Sequence, residues 1–212
     1  MENQTTLKSR SPRDFCVLCR RPRAACYCSL IKPFDSTPRF IILTQPREAK
    51  HSFGTGRMAH LCITNSLLIE GVDFSANEQL NAMFRDRKIF PLVLYPRKAS
   101  LNVSILSQED RAAIVPADRE LAIIVLDGTW KTARKMIRLS RNLQNLTYIS
   151  FDPPRPSRYR LRRQPRAQYY STLEAIHHII DLFMADRQER PQDTLLDVLD
   201  FAVEHQLRYS PK

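Results

Sequence analysis

Short apolar runs of strand length alternate along this chain with longer segments that have the spacing of amphipathic helices. The strand-like runs cover residues 39–44, 90–95, 121–126 and 146–150. The helical patterns cover residues 57–69, 129 to about 141 and 171 to about 187, and a last helix is expected to begin near Pro191. Strands that alternate with helices are typical of a mostly parallel sheet with helices on both faces, so we predict an α/β fold.

The sequence Asp127-Gly128-Thr129-Trp130 follows the most apolar run of the chain, which ends at Leu126. Ligands of parallel sheets bind at the carboxyl ends of the strands, so we predict a ligand site here. Asp127 offers a carboxylate that could act as a base, Gly128 allows close backbone approach, and Thr129 or Asp127 could cap the next helix. The alternative is purely structural, a helix cap followed by a buried tryptophan.

Positive charge is concentrated after this motif. Residues 131–166 contain eleven Lys or Arg and one acid, and residues 1–30 contain six Lys or Arg against two acids. Two basic patches on an otherwise acidic body favour a polyanionic partner, and the alternative is a solvated surface that maintains solubility. Residues 152–166, rich in Pro and Arg, are predicted to be a functional loop. We predict phosphate contacts from Lys131, Arg134, Arg138, Arg155, Arg158, Arg162 and Arg163.

Four of the five cysteines lie within thirteen residues, as Cys16-x2-Cys19 and Cys26-x1-Cys28. Closely spaced thiolates can hold a tetrahedral zinc ion, and cytosolic chains use such clusters for metals rather than for disulfides. We therefore predict a structural zinc module over residues 13–32, preceded by a disordered tail over residues 1–12. Four reduced cysteines without metal, or an iron site, are the alternatives. So small a module with so little apolar core needs a cross-link.

Composition narrows the class of protein further. No apolar run approaches the roughly 20 residues that a membrane-spanning helix requires, and the first residues lack the order of a signal peptide. These features, with the crowded cysteines, predict a cytoplasmic protein without a membrane partner. The chain has four glycines and no G-x-G-x-x-G pattern, which argues against a Rossmann-type methyltransferase.

Two further motifs stand where predicted helices begin. Residues 54–57, Gly-Thr-Gly-Arg, could bind an anion or a ligand through backbone amides. Residues 171–174, Ser-Thr-Leu-Glu, fit a helix start in which Ser171 or Thr172 is the cap and Glu174 completes a capping box. Local chemistry alone leaves both capping and ligand binding open for the second motif.

In their order along the chain, these motifs resemble those of the DTW-domain family, the tRNA-uridine aminocarboxypropyltransferases. The resemblance covers about residues 15–185. It rests on the cysteine motif, on Gln45-Pro46-x-Glu48 followed by Thr55-Gly56-Arg57, and on Leu94-Tyr95-Pro96, Asp127-Gly128-Thr129-Trp130 and Ser171-Thr172-Leu173-Glu174-Ala175. The chain departs from the family pattern at Gln45, where His is expected, and at His51, where family members often have Arg.

The resemblance implies a SPOUT-like fold over residues 33–212, the catalytic domain, and the trefoil-knotted cofactor site of that superfamily is a further expectation. It implies S-adenosyl-L-methionine as donor of its 3-amino-3-carboxypropyl group and N3 of a tRNA uridine as acceptor. In bacterial members that uridine is usually in the variable loop, and methylthioadenosine is released. We assign Asp127 as the catalytic residue and expect cofactor contacts from Thr55, Arg57, Leu126, Gly128, Thr129, Trp130, Ser171, Thr172 and Glu174.

Two other functions are compatible with the same residues. A SPOUT RNA methyltransferase would use the same donor and RNA but transfer the methyl group, and a zinc-knuckle protein would bind RNA without catalysis. The expected partner is tRNA rather than DNA. Uridine N3 is a weak acid, so a carboxylate such as Asp127 or the local positive field must help to remove its proton before attack.

Overall fold

The computed structural model describes residues 15–51, 53–161, 169–184 and 188–209. The strands in these ranges are β1 (Arg39–Thr44), β2 (Leu67–Glu70), β3 (Ile89–Leu94), β4 (Leu101–Asn102), β5 (Glu120–Asp127) and β6 (Thr147–Ser150). The α-helices are α1 (Pro46–Ala49), α2 (Thr55–Cys62), α3 (Glu78–Arg85), α4 (Gln108–Ala113), α5 (Trp130–Leu139), α6 (Arg141–Gln144), α7 (Thr172–Phe183) and α8 (Asp193–Tyr209). The predicted disordered tail, residues 1–12, lies outside the described residues.

The strands form one sheet in the order β2-β1-β5-β3-β6-β4, and each neighbouring pair is parallel. The register places Thr44 beside Asp127 and Leu94 beside Val125. The carboxyl ends of β1, β3 and β5 therefore meet at one edge. The predicted α/β class and parallel sheet are confirmed, whereas the SPOUT-like assignment and the trefoil knot stay predictions.

Each face of the sheet is covered by its own group of helices, because successive strand residues point to opposite sides. Phe40 and Ile42 of β1 belong to a buried cluster with residues of α2, α7 and α8. Ile41 and Leu43 belong to a second cluster with residues of α3, α5 and α6. Helices therefore lie on both faces, as predicted, and β5 is buried along its length after Glu120.

The prediction of a helix over residues 57–69 is confirmed near its start and wrong at its end. Helix α2 ends at Cys62, and the apolar residues that follow form β2, an edge strand parallel to β1. The Ser66 hydroxyl fixes the intervening turn, since it lies 2.7 Å from the Ile63 carbonyl oxygen and 2.8 Å from Nδ1 of His60. The alternation of apolar residues over 57–69 could not distinguish this break from a continuous helix.

The helix predicted from residue 129 to about 141 is also interrupted. It divides at Ser140 into α5 and α6, where the buried Ser140 hydroxyl accepts a hydrogen bond from the Phe74 N–H at 2.9 Å. Helix α3, which Asn77 caps, was not predicted. Helices α7 and α8 begin close to their predicted positions. None of the helices in the described ranges combines the length and the apolar character that would let it cross a membrane.

The cysteine segment packs directly on this body. It contains two short 3₁₀ turns, Arg23–Ala25 and Cys28–Leu30. Cys16, Cys19 and Tyr27 are buried in the same apolar cluster as α2, α7 and α8. The segment therefore shares a core with the sheet domain.

Candidate active site and metal centre

A cleft of about 660 Å³ opens at the carboxyl edge of the sheet. Its walls come from residues that follow β1, β3, β5 and β6 and from the first turns of α2, α5 and α7. The volume falls within the range of about 300–1,000 Å³ that is typical of small-molecule sites. The concave site therefore lies at the edge that the position of Asp127 predicted.

One wall of the cleft is aromatic. The Trp130 ring lies between those of Tyr95 and Tyr169, with centroids 5.8 Å and 4.7 Å away. Phe151 and Tyr170 form a further pair at 5.7 Å. Trp130 is 36% exposed, which excludes the structural alternative of a buried tryptophan. Rings arranged in this way can stack on a planar base such as adenine or uracil.

The Asp127 carboxylate occupies the floor of the cleft and joins three distant segments of the chain to its own. Its Oδ1 accepts hydrogen bonds from the Thr172 hydroxyl at 2.8 Å and from the Gly56 N–H at 3.2 Å. Its Oδ2 lies 3.4 Å from the Thr44 hydroxyl, which donates to it. A Cβ atom on Gly56 would lie 2.6 Å from Cγ of Asp127, so only glycine permits this approach. The anion that segment 54–57 binds is therefore the protein's own carboxylate.

Burial is the main influence on the charge of Asp127, which is 3% exposed. Burial raises the pKa of this carboxyl above its ordinary value, and the hydrogen bond from Thr172 opposes that rise. The negative charge of Glu48, which also lines the cleft, raises the pKa of Asp127 further. A carboxylate with a raised pKa at the floor of a cleft is suited to accept a proton from a bound molecule.

Ser171 and Glu174 form the capping box that the sequence left as one of two readings. The Ser171 hydroxyl accepts a hydrogen bond from the Glu174 N–H, and Oε2 of Glu174 accepts one from the Ser171 N–H at 2.8 Å. Glu174 also accepts hydrogen bonds from the Ser157 hydroxyl at 2.8 Å and from the Arg158 N–H at 2.6 Å. The buried Glu174 carboxylate therefore anchors the loop that follows β6 to the start of α7.

Seven of the nine residues predicted to bind cofactor line the cleft, namely Thr55, Leu126, Gly128, Thr129, Trp130, Ser171 and Thr172. Arg57 and Glu174 are absent from the described residues that line it. Arg57 instead points towards Glu70, with Nη2 3.9 Å from Oε1. Thr129 also caps α5, since its hydroxyl accepts a hydrogen bond from the Thr132 N–H at 3.2 Å.

The basic face predicted for the helix after the cleft is present on α5. Its side chains are exposed at Lys131, Arg134, Lys135 and Arg138, and Arg141 continues the face in α6. Lys131 also lines the cleft, so this positive surface adjoins the site.

The arginines of the following loop have different surroundings. Arg155 is exposed, whereas Nη1 of Arg158 lies 2.7 Å from Oδ2 of Asp200. The charge of Arg158 is therefore partly neutralised by the protein itself. Arg162 and Arg163, also predicted to contact phosphates, lie outside the described residues.

The four predicted metal ligands come together. The Sγ atoms of Cys16, Cys19, Cys26 and Cys28 all lie within 4.8 Å of one another, and the 16–28 and 19–26 pairs are each 3.7 Å apart. Four Zn–S bonds of about 2.3 Å in a tetrahedron require S···S distances of about 3.8 Å, so the donor set and its spacing fit a metal ion. The backbone N–H of Cys19 lowers the pKa of Cys16 to about 6, whereas burial raises the pKa of Cys19 and of Cys28, so a metal ion would have to displace protons from these thiols.

The sequence patterns do not predict several residues of the cleft. Glu48 belongs to a motif without a predicted role, and Phe53, Phe151, Tyr169 and Tyr170 lie in no motif with a predicted ligand. Their common signal is position, since each follows a strand or precedes a helix at the carboxyl edge of the sheet. That signal becomes usable only when the order of the strands is known.

Comparisons with known proteins bear on the class of protein to which this chain belongs. A family model described as the DTW domain matches residues 13–207. The chain belongs to the DTW-domain family. It is 28% identical over 208 residues to tRNA-uridine aminocarboxypropyltransferase 2 of Drosophila melanogaster, covering 92% of this chain and 79% of that protein. It is 25% identical over 225 aligned positions to tRNA-uridine aminocarboxypropyltransferase A of Arabidopsis thaliana, covering 93% and 82%. No solved structure matches the chain.

Each residue of the DTW motif has its own place at the cleft. In this DTW-domain protein, Asp127 presents the buried carboxylate, Thr129 caps α5 and Trp130 forms the aromatic wall. A Cβ atom added to Gly128 would lie 2.5 Å from Oγ1 of Thr132 in the first turn of α5, so a side chain there would collide with that turn. The motif thus combines a polar floor, a helix start and a stacking surface in four consecutive residues.

Proposed function

We propose that this DTW-domain protein transfers the 3-amino-3-carboxypropyl group of S-adenosyl-L-methionine to N3 of a tRNA uridine and releases methylthioadenosine. The observation that carries the proposal is the buried Asp127 carboxylate at the floor of an aromatic-walled cleft. The exposed basic face of α5 adjoins that cleft and is suited to the phosphates of a folded RNA. The names of the two relatives support the coarser part of the proposal, which is aminocarboxypropyl transfer to a tRNA uridine.

In this mechanism Asp127 takes up the N3 proton of uridine. The N3 electron pair then attacks the γ-carbon of the amino acid chain, the N3–Cγ bond forms, and the Cγ–S bond breaks. Its electron pair passes to sulfur, which leaves as the neutral thioether of methylthioadenosine. The raised pKa of Asp127 makes its carboxylate a better proton acceptor than an exposed aspartate.

The other cleft residues have orienting tasks. The Tyr95–Trp130–Tyr169 wall offers surfaces for the adenine and for a uracil turned out of the RNA stack. Glu48 places a second carboxylate in the cleft, which is suited to the α-ammonium of the transferred chain. Fixing donor carbon and acceptor nitrogen in line supplies much of the rate, because no residue of the protein needs to form a covalent bond.

The cysteine cluster would hold zinc through Cys16, Cys19, Cys26 and Cys28. Four protein ligands complete a tetrahedron and leave no open position, so the ion would supply cross-linking rather than catalysis. We further propose that the protein works in the cytoplasm and that its uridine lies in the variable loop of tRNA.

The test is a reaction of the purified protein with unmodified tRNA transcripts and S-adenosyl-L-methionine, followed by mass spectrometry of the nucleosides. We expect a uridine that has gained C4H7NO2 and an equal amount of methylthioadenosine. A uridine that has gained CH2, with S-adenosylhomocysteine as co-product, would instead identify a methyltransferase. Tight tRNA binding without any consumption of the donor would identify a binding protein, and either result would overturn the proposal.

A further inference from the structure

Arg21 is a fully buried cation inside the cysteine segment. The residue is 2% exposed, and its Nε and Nη1 atoms are buried without a hydrogen-bond partner among the described residues. Its backbone is tied to the cluster, since the Cys16 N–H donates to the Arg21 carbonyl oxygen at 2.8 Å. A buried guanidinium is costly unless an anion lies near it, so the position of Arg21 requires a source of negative charge.

The thiolates of the cysteine cluster are that source. Arg21 lies between Cys19 and Cys26 in the chain, and cysteines that hold a metal ion do so as thiolates. A centre made of one divalent ion and four thiolates has a net charge of about −2, which would compensate the buried cation.

The other side of Arg21 faces the wall of the cleft. Its Cζ atom lies 4.1 Å from the centroid of the Phe53 ring, which is the geometry of a cation–π contact. Phe53 is buried, belongs to the same apolar cluster as Cys16 and Cys19, and lines the cleft. Arg21 is thus bonded to the cysteine segment through its backbone and contacts the wall of the cleft through its guanidinium.

We propose that Arg21 is a positioning residue that couples the two sites: its guanidinium is the buried counter-charge of the metal–thiolate centre and, held there, it fixes Phe53 in the cleft wall. Without the metal nothing holds the four sulfurs together as one anionic centre, so the guanidinium loses its partner and the Phe53 ring loses the cation that orders it. The first half of this proposal concerns the metal alone. The second half rests on the proposed function, because it assumes that the cleft binds the adenosine part of the donor.

The experiment compares three variants of the full chain with the wild type. Arg21→Met removes the charge and keeps an unbranched stem, Arg21→Lys keeps the charge and loses the planar stack, and Arg23→Met is the matched control at an exposed arginine of the same segment. Zinc affinity is measured by competition with a chelator, and the cobalt-substituted spectrum reports the thiolate geometry. Methylthioadenosine binding is measured by calorimetry, and near-UV circular dichroism verifies that each variant is folded.

We expect Arg21→Met to weaken zinc binding by about 10- to 100-fold, the usual effect of losing a partner that supports a metal ligand set, while Arg23→Met stays within about twofold. Arg21→Lys should retain most of the zinc affinity but share the weakened methylthioadenosine binding of Arg21→Met. Removing zinc from the wild type should weaken methylthioadenosine binding to a similar degree.

Equal zinc affinities for Arg21→Met and Arg23→Met would overturn the counter-charge role. Unchanged methylthioadenosine binding in zinc-free wild type would overturn the coupling. If the wild type binds zinc but no methylthioadenosine at all, the proposed function and the coupling both fail, whereas the counter-charge role is still decided by the zinc affinities. If Arg21→Met does not fold, Arg21→Gln, which also removes the charge, is compared with Arg23→Gln in its place.

Discussion

Replacing Asp127 with Asn separates the charge of the carboxylate from its hydrogen bonds. The amide oxygen can accept from the Gly56 N–H and the Thr172 hydroxyl, as Oδ1 does now. The amide NH2 would face the Thr44 hydroxyl, which can accept as readily as it donates. We therefore expect Asp127→Asn to fold and to bind methylthioadenosine normally, while turnover falls by about a hundredfold or more, the scale of a lost general base.

The Ala variant of the same position gives the contrasting magnitude. Asp127→Ala leaves the Gly56 N–H and the Thr44 hydroxyl without their buried acceptor. Each such loss costs about 1–3 kcal/mol, so the free energy of unfolding should fall by about 2–6 kcal/mol. For a protein of this size the expected fall in Tm is roughly 5–20 °C. Asp127→Asn should show little of this change in a thermal melt.

The pH dependence has a definite sign. The folded state raises the pKa of Asp127, so its contribution to stability is full below the unfolded pKa and is lost as pH rises through the folded pKa. Above the folded pKa the wild type carries a buried negative charge that Asp127→Asn lacks, and the variant should be at least as stable there. Wild-type turnover should rise with pH as Asp127 ionises, and that limb should vanish in the variant. Near-normal turnover of Asp127→Asn, with the limb intact, would refute the assignment as base.

Three other predictions address the metal, the RNA surface and the aromatic wall. The structure leads us to expect about one zinc ion per wild-type chain. Cys19→Ser should reduce the amount of bound zinc and lower the Tm. Unchanged melting after complete metal removal would contradict this prediction. Gln at both Arg134 and Arg138 should reduce the slope of log affinity for tRNA against log salt by about 2, whereas the same change at Arg85, exposed on α3, should leave it unaltered. Trp130→Ala should weaken methylthioadenosine binding without abolishing the pH limb, because an indole contributes surface rather than proton transfer; unaltered binding would place the adenine elsewhere.

The features that the sequence predicts well are those that depend on consecutive residues. Strand β5 is an uninterrupted apolar run because both its faces are buried, and that cause is visible without any knowledge of its neighbours. The cysteine cluster is local in the same sense, since twelve residues separate Cys16 from Cys28. The capping box of α7 is readable because its two partners are three residues apart.

The features that escape prediction depend on which distant segments meet. The acceptor role of Asp127 towards Thr44, Gly56 and Thr172 involves separations of 83, 71 and 45 residues. The sequence alone predicts that Arg158 contacts RNA phosphates. In the folded chain α8 brings Asp200, 42 residues later, within hydrogen-bond distance of Arg158. Short edge strands such as β2 escape prediction for a related reason. With one face covered, such a strand has a spacing of apolar residues that a helix can also produce.

The place of β5 in the sheet also governs how the chain can assemble. Strands β1 and β3 are made early, yet neither pairs with the other, because β5 lies between them. Until residues 120–127 leave the ribosome, both strands present bare backbone edges on which foreign strands can add. The same segment carries Asp127, so the event that closes those edges also delivers the carboxylate to the cleft. Nascent chains that stall before β5 are therefore both inactive and prone to aggregate. Slow synthesis just upstream of β5 prolongs the exposure of these strand edges, so a chaperone that covers them matters most at that stage.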